Sequence, residues 1–265
     1  MPYFKHDNCE TYFETEGEGF PLVLTHGFCS DITGWEPVRK TLAKTFKLIM
    51  PDNRFAGRTK TSGEESSTKL FAEDIKALLD FLQIEKAIIL GHSLGGYIAQ
   101  EFAAAYPEKT EKLVLVSTAA VSSKRNNLLI SAFAQLHKVH GNSELFWRNA
   151  YPWLLSPRMF DNVEAFENIL AFTVKYPYLP SPENFARQKD ALISHNSETK
   201  LSAIKADALV LSGGMDFLIT TEESRQMANR IPRVKFEFIK NSGHNIPFEM
   251  PEPFTQAIVR FAQGN

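Results

Sequence analysis

Cysteine is scarce in this sequence, no apolar run is long, and neither sign of charge dominates. Each shortage removes a class of protein. The two cysteines, Cys9 and Cys29, form no CxxC pair, which argues against a disulfide framework or a cysteine-based zinc site. They read as free thiols in a reducing cytoplasm. No apolar stretch approaches the roughly 18 residues of a membrane span, and the opening MPYFKHDNCE lacks the basic-then-apolar layout of a signal peptide. A soluble cytoplasmic protein with no membrane partner is therefore expected. Lys and Arg total 29 against 31 Asp and Glu, a formal charge of −2, and the basic residues are scattered. Phosphate binding needs them clustered, so no nucleic-acid partner is expected. There is no internal repeat or low-complexity segment. Phosphate-cradling loops are missing too: Gly96 is followed by Tyr97 and Ile98, and no G-x-G-x-x-G occurs.

What is present is apolar material in short blocks. Hydrophobic residues make up 43% of the 265, enough for one large domain or a core with an insertion. TYFETEGEGFPLVLTHG reads as a strand, a turn and an apolar run at Leu22–Leu24. Further strands are predicted at Phe46–Asp52, Lys86–Gly91, Lys112–Ser117, Asp207–Gly213 and Val234–Ile239. Most are apolar without alternation, the mark of strands covered on both faces of a parallel sheet. Helical spacing of Phe71, Ile75, Leu78, Leu79 and Leu82 predicts a helix over Ser67–Leu82, capped by Ser66, Ser67 or Thr68, and a tail helix follows Pro253. Strands alternating with helices give the α/β class. From 122 to 197 the rhythm breaks: helical patterning, several prolines, no strand, and between Phe133 and Phe185 an aromatic density well above the chain's 12%. Residues 1–121 and 198–265 are thus assigned to an α/β core and 122–197 to a helical cap inserted in it.

The stretch ILGHSLGGYIAQEF carries the chemical signal. Gly91-His92-Ser93-Leu94-Gly95 is a G-x-S-x-G placed between a predicted strand and a predicted helix, where a sharp turn lifts a serine hydroxyl above a sheet. Small neighbours let strand and helix approach closely. An ordinary glycine turn would leave the same five letters, so partners must be sought. An acid should follow a later strand, and Asp216 does, after ALVLSGGM; alone it also fits a turn residue capping a helix near Thr220–Arg230. A histidine should follow the next strand, and His244 does, in the Ser-Gly-His loop. Acyl transfer also needs amide donors for the oxyanion. Leu94, after the serine, and Phe28, in LTHGFCS, are the candidates, with His26 fixing the second loop and His92 packed behind the turn. His137 and His140 are spaced for a metal but lack a third ligand. A solvated helix face is expected there, and no metal or cofactor.

The motifs LTHGF, MPDNRFAGRT, ILGHSLGGYIAQEFAAAYP, LVLVSTAA, LVLSGGMD and NSGHNIPFEMPEPF, in this order, resemble the α/β-hydrolase fold family over nearly the whole chain. That resemblance implies an eight-stranded, mostly parallel sheet flanked by helices, with a helical cap between strands six and seven. DNRFAGRT and FARQKDALISHN resemble carboxylesterase-like and enol-lactonase-like members. Two departures stand out. Phe55 occupies a position often held by glycine, which would narrow the pocket, and Phe217-Leu218-Ile219-Thr220 stands where a proline often follows the acid.

Serine suits carbonyl substrates through an acyl-enzyme, whereas dehalogenases and epoxide hydrolases of this fold use aspartate. The expected activity is hydrolysis of a small ester or lactone by Ser93, His244 and Asp216. Carbon–carbon bond hydrolysis of a diketone, perhydrolysis, and a non-catalytic ligand receptor are the alternatives. Trp147, Tyr151, Trp153 and Phe160 are the candidate pocket lining, or else the core of the cap itself. Arg125, Arg148, Arg158 and Arg187 are candidate partners for a substrate carboxylate, or else solvated charges.

Overall fold

The computed structural model describes residues 3–264. Its strands are β1 (Tyr3–His6), β2 (Cys9–Glu16), β3 (Phe20–Thr25), β4 (Phe46–Pro51), β5 (Lys60–Thr61), β6 (Ala87–His92), β7 (Thr110–Val116), β8 (Asp207–Gly213) and β9 (Val234–Ile239). The sheet runs β1-β2-β4-β3-β6-β7-β8-β9, with β5 paired to β2. The first two pairings are antiparallel and all those from β4 to β9 are parallel. Eight strands follow one path, as expected; the two-residue β5 makes a ninth.

The helices are α1 (Glu36–Leu42), α2 (Thr68–Phe81), α3 (Leu94–Ala105), α4 (Lys124–His140), α5 (Glu144–Leu154), α6 (Arg158–Asp161), α7 (Val163–Lys175), α8 (Pro182–Ser194), α9 (Thr221–Ala228), α10 (Ile246–Glu249) and α11 (Pro251–Ala262). Five of them, α4 to α8, lie between β7 and β8, and a single bridge, Val121 to Asn196, closes that segment at its base. Ser123, Ser143, Asn162 and Ser181 cap the longer four, each accepting the backbone N–H three residues on. Among the described residues no helix is long and apolar enough to cross a membrane.

Alternation along the central strands divides the core in two. Ile89, Leu113, Leu115, Ala208 and Val210 face the layer of α2, α3 and the inserted helices. Ile88, Leu90, Val114, Val116, Leu209 and Leu211 face α1 and α11 on the other side. Both sets are buried, which explains why these strands read as unbroken apolar runs. Each such side chain contributes about 1.5–3 kcal/mol on burial. The rigid centre they make holds the C-terminal ends of β3, β6, β7, β8 and β9 in fixed register, and the candidate groups project from those ends.

Candidate active site

Ser93 sits between β6 and α3 with φ 54° and ψ −117°, a backbone conformation that costs an L-residue about 1–3 kcal/mol unless its surroundings impose it. They do. Ser93 N–H donates to Val116 O at 2.9 Å, while Ser93 O accepts Gly96 N–H at 2.8 Å and Thr118 Oγ1–H at 3.0 Å. The flanking glycines are required by space. A Cβ on Gly91 would lie 2.0 Å from Gly95 O, and one on Gly95 would lie 2.0 Å from Thr25 O.

Asp216 and His244 come together in loops after β8 and β9. Asp216 Oδ2 accepts from His244 Nδ1–H at 2.8 Å, and its Oδ1 accepts the N–H groups of Leu218 and Ile219, each at 2.9 Å. The helix after Asp216 is not capped by it: Thr220 and Glu223 form a reciprocal capping box there. His244 is buried, and its N–H donates to Leu154 O in the insertion at 3.1 Å. Ser93 Oγ makes no hydrogen bond to His244 in this structure, and such bonds commonly tighten only around substrate. The two are linked through His92, whose Nε2–H donates to His244 O at 2.9 Å. Burial, with His244 beside it, pushes the His92 imidazole down to about 3, so this donor tautomer is neutral.

The loop after β3 closes the other side. His26 Nε2 accepts Asn53 N–H at 2.9 Å, which leaves Nδ1–H to donate to Gly27 O at 2.9 Å. In a trans peptide C=O and N–H point opposite ways, so this bond aims Phe28 N–H away from His26. A Cβ on Gly27 would be 3.3 Å from Ser93 Cβ, which sets the loop directly against the serine. Leu94 opens a twelve-residue helix; its N–H lies among the orphan donors at a helix start, where partial positive charge gathers. DNRFAGRT serves this loop from below: Asp52 accepts Ile32 N–H and Arg58 N–H at 2.9 and 2.7 Å, and Arg54 is bidentate on Asp74 of α2, both contacts 2.7 Å.

The cavity that Ser93 borders is small, about 20 Å³, room for about one water molecule. Tyr97, Ser117, Ser122 and Asn126 form its polar wall, and Ile130, Leu192, Leu218 and Ile219 its apolar one. None of Trp147, Tyr151, Trp153 and Phe160 lines it. Trp147 packs on Tyr151 at 5.2 Å, and Tyr151 and Phe160 meet Phe166 at 5.8 and 4.9 Å, so these rings form a core within the insertion. Trp153 is half-buried against the same cluster. Phe55 does not narrow the cavity either; it is buried toward Phe71. The arginines are engaged elsewhere. Arg125 donates to Leu218 O, Arg148 pairs with Glu144 and Glu167, Arg187 pairs with Glu64, and Arg158 is exposed. His140 is exposed, but His137 corrects the expected solvated face: it is buried, stacked 4.5 Å from Phe185. Among the described residues no cluster of three metal-ligating side chains occurs.

A family model described as the alpha/beta hydrolase fold matches residues 21–171. Proteins bearing the name carbamate hydrolase RutD are similar over almost the full length. The one from Caulobacter sp. (strain K31) is 27% identical, with 92% of this chain and 90% of that protein covered. The one from Azorhizobium caulinodans is 24% identical, with 98% of each covered. Among solved structures, a thermophilic esterase from Thermogutta terrifontis superposes with a TM-score of 0.86 at 30% identity, over 97% of this chain and 94% of that one. An enol-lactonase from Burkholderia xenovorans LB400 superposes with a TM-score of 0.89 over 99% and 100%; at 23% identity that likeness concerns the fold alone.

Proposed function

The chain belongs to the α/β-hydrolase fold family and is a hydrolase, and from that premise we propose that it cleaves a small, neutral carboxylic ester or lactone through an acyl-enzyme on Ser93. The observation that carries this reading is the strained turn at Ser93, φ 54°. A fold maintains such a conformation on a serine against its intrinsic cost where the exposed hydroxyl has a use. His244 takes the Ser93 proton as Oγ attacks the carbonyl carbon, and then gives it to the leaving alcohol. Water repeats the sequence to release the acid. Asp216 holds the imidazole with Nδ1–H inward, so that Nε2 is the free base. Phe28 and Leu94 N–H receive the oxyanion.

The cavity supports a short acyl group, because 20 Å³ admits no long chain, and no arginine lines it to meet a carboxylate. The relatives named as carbamate hydrolases favour a second reading, in which the carbonyl attacked is that of a carbamate. Ser93 is then carbamoylated rather than acylated, the alcohol leaves as from an ester, and water releases a carbamic acid that breaks down to carbon dioxide and amine. Treatment with a fluorophosphonate, followed by peptide mapping, tests the shared step: a single adduct at Ser93, lost in Ser93→Ala, is expected. Labelling at another serine overturns the assignment. Turnover of matched p-nitrophenyl esters, with and without a carboxylate, beside a simple carbamate, then separates the classes. Rates should fall as the acyl chain lengthens, and a carbamate hydrolysed faster than every ester selects the second reading.

A further inference from the structure

We propose that Gln188, on the inserted helix α8, is a positioning residue that locks the loop presenting the Phe28 N–H. This rests on the reading of Ser93 and Phe28 above. Among the non-glycine residues of positive φ, Cys29 and Phe55 stand at 56° and 64°, in the left-handed region that crowds a Cβ. Neither residue type selects that conformation, so something must impose it on both. Gln188 touches both. Its Oε1 accepts Cys29 N–H at 3.0 Å, and its Nε2–H donates to Phe55 O at 2.7 Å.

The side chain is 1% exposed, so water cannot substitute for either contact. One partner is a donor and the other an acceptor, so a single orientation of a neutral amide satisfies both; a carboxylate or a thioether satisfies one at most. Phe185, three residues earlier on the same helical face, packs edge-on against the Phe28 ring at 4.5 Å. Helix α8 therefore grips consecutive loop residues with two side chains. The peptide plane before Phe28 is fixed by His26 within the core, and the plane after it by Gln188 from the insertion. An oxyanion donor is effective because it is aimed before charge develops. Releasing Cys29 would let the loop relax out of its left-handed turn and swing the Phe28 amide away.

The test uses wild type, Gln188→Met, Cys29→Gly and the double variant, all with p-nitrophenyl acetate and with a trifluoromethyl ketone that adds to Ser93 as an oxyanion. Gln188→Met should lower kcat about 10–100-fold, somewhat less than deletion of a donor, with KM within about twofold. Ketone inhibition should weaken in proportion. Cys29→Gly in that background should recover most of the rate, because glycine enters the left-handed region unaided. An unchanged kcat, or ketone binding that does not follow kcat, overturns the proposal. Should Gln188→Met not fold, amide exchange on wild type decides: Cys29 N–H must be far better protected than Ser30 N–H, and equal exchange overturns the clamp. A wild type unlabelled by fluorophosphonate at Ser93 removes the functional reading and this proposal with it. A labelled wild type with an insensitive Gln188 removes this proposal alone.

Discussion

Asp216 faces three donors and no acceptor: two backbone N–H groups on Oδ1 and the His244 ring on Oδ2. An acceptor-only carboxylate fits that shell, and asparagine does not. In Asp216→Asn the amide oxygen must take the Oδ1 place, where two backbone donors would otherwise be orphaned. The NH2 then meets His244 Nδ1 and forces it to accept, so the ring proton moves to Nε2 and the base is blocked. A loss of about 10⁴ in kcat with little change in thermal stability is expected from steady-state kinetics and a melting curve. A loss below tenfold would show that His244 does not act through this tautomer. The Asp216–His244 adjacency was legible in the sequence because β8 and β9 are neighbours in chain order and in the sheet, so the loops that follow them must meet. Gln188 was not legible. Its partners Cys29 and Phe55 lie 159 and 133 positions away, and only the completed packing brings them to one amide. Which of the two readings of the cap aromatics holds was illegible for a related reason: composition shows how many rings there are, not which way each one faces.

At the scale of elements, legibility followed hydrophobic patterning. β8 carries the buried run Ala208–Leu211, β9 alternates apolar residues with Lys235 and Glu237, and α2 starts at the Ser67 cap, whose side chain accepts Leu70 N–H at 3.1 Å. β1 and β5 are short, partly polar pieces at the antiparallel edge, and they owe their strand form to β2 rather than to a pattern of their own. The same distinction separates two glycines. Gly95 has an ordinary φ, but a Cβ there would lie 2.0 Å from Thr25 O and 2.7 Å from His26 O, both rigid backbone. Gly95→Ala must push α3 off the end of β3, which displaces Ser93 from the Phe28 loop. A misplacement near 1 Å is worth about 100-fold in rate, so kcat/KM should fall at least that far. Gly141 is the converse, with open space around it but φ 59°. Gly141→Ala should cost about 1–3 kcal/mol of stability while kcat stays unchanged. Denaturant melts and kinetics on the two variants check this, and a Gly95→Ala enzyme of normal activity would show that the elbow has slack.

At the scale of the whole molecule the inserted helices are bonded to both loops of the candidate site: Leu154 O and Glu249 tie the α5 end to the His244 loop, as Gln188 ties α8 to the Phe28 loop. The joint also holds neutral histidines out of water. His195, at the end of α8, is buried, accepts or donates to Thr68 Oγ1 at 2.8 Å and stacks on Tyr97 of α3 at 4.3 Å. Burial, with Lys200 nearby, pushes it down to about 3, and His92 is likewise held at about 3. His137 is lowered by the same cause. In the unfolded chain these rings titrate near 6.5. The unfolded state therefore binds more protons below that pH, and stability is full above about 6.5 and is lost as pH falls toward 3. Each of His92 and His195 removes about 1.4 kcal/mol per pH unit, about 2 kcal/mol between pH 6.5 and 5. The carboxyls of Asp52 and Asp74, pushed up by burial, act in the opposite sense. Calorimetric melts across that interval should show Tm falling on the order of 10 °C, with a visibly shallower slope in His195→Gln. A Tm that stays level from pH 6.5 to 5, or a slope His195→Gln leaves untouched, would mean that these rings are already protonated in the fold and that the joint between insertion and core is wetter than its packing implies.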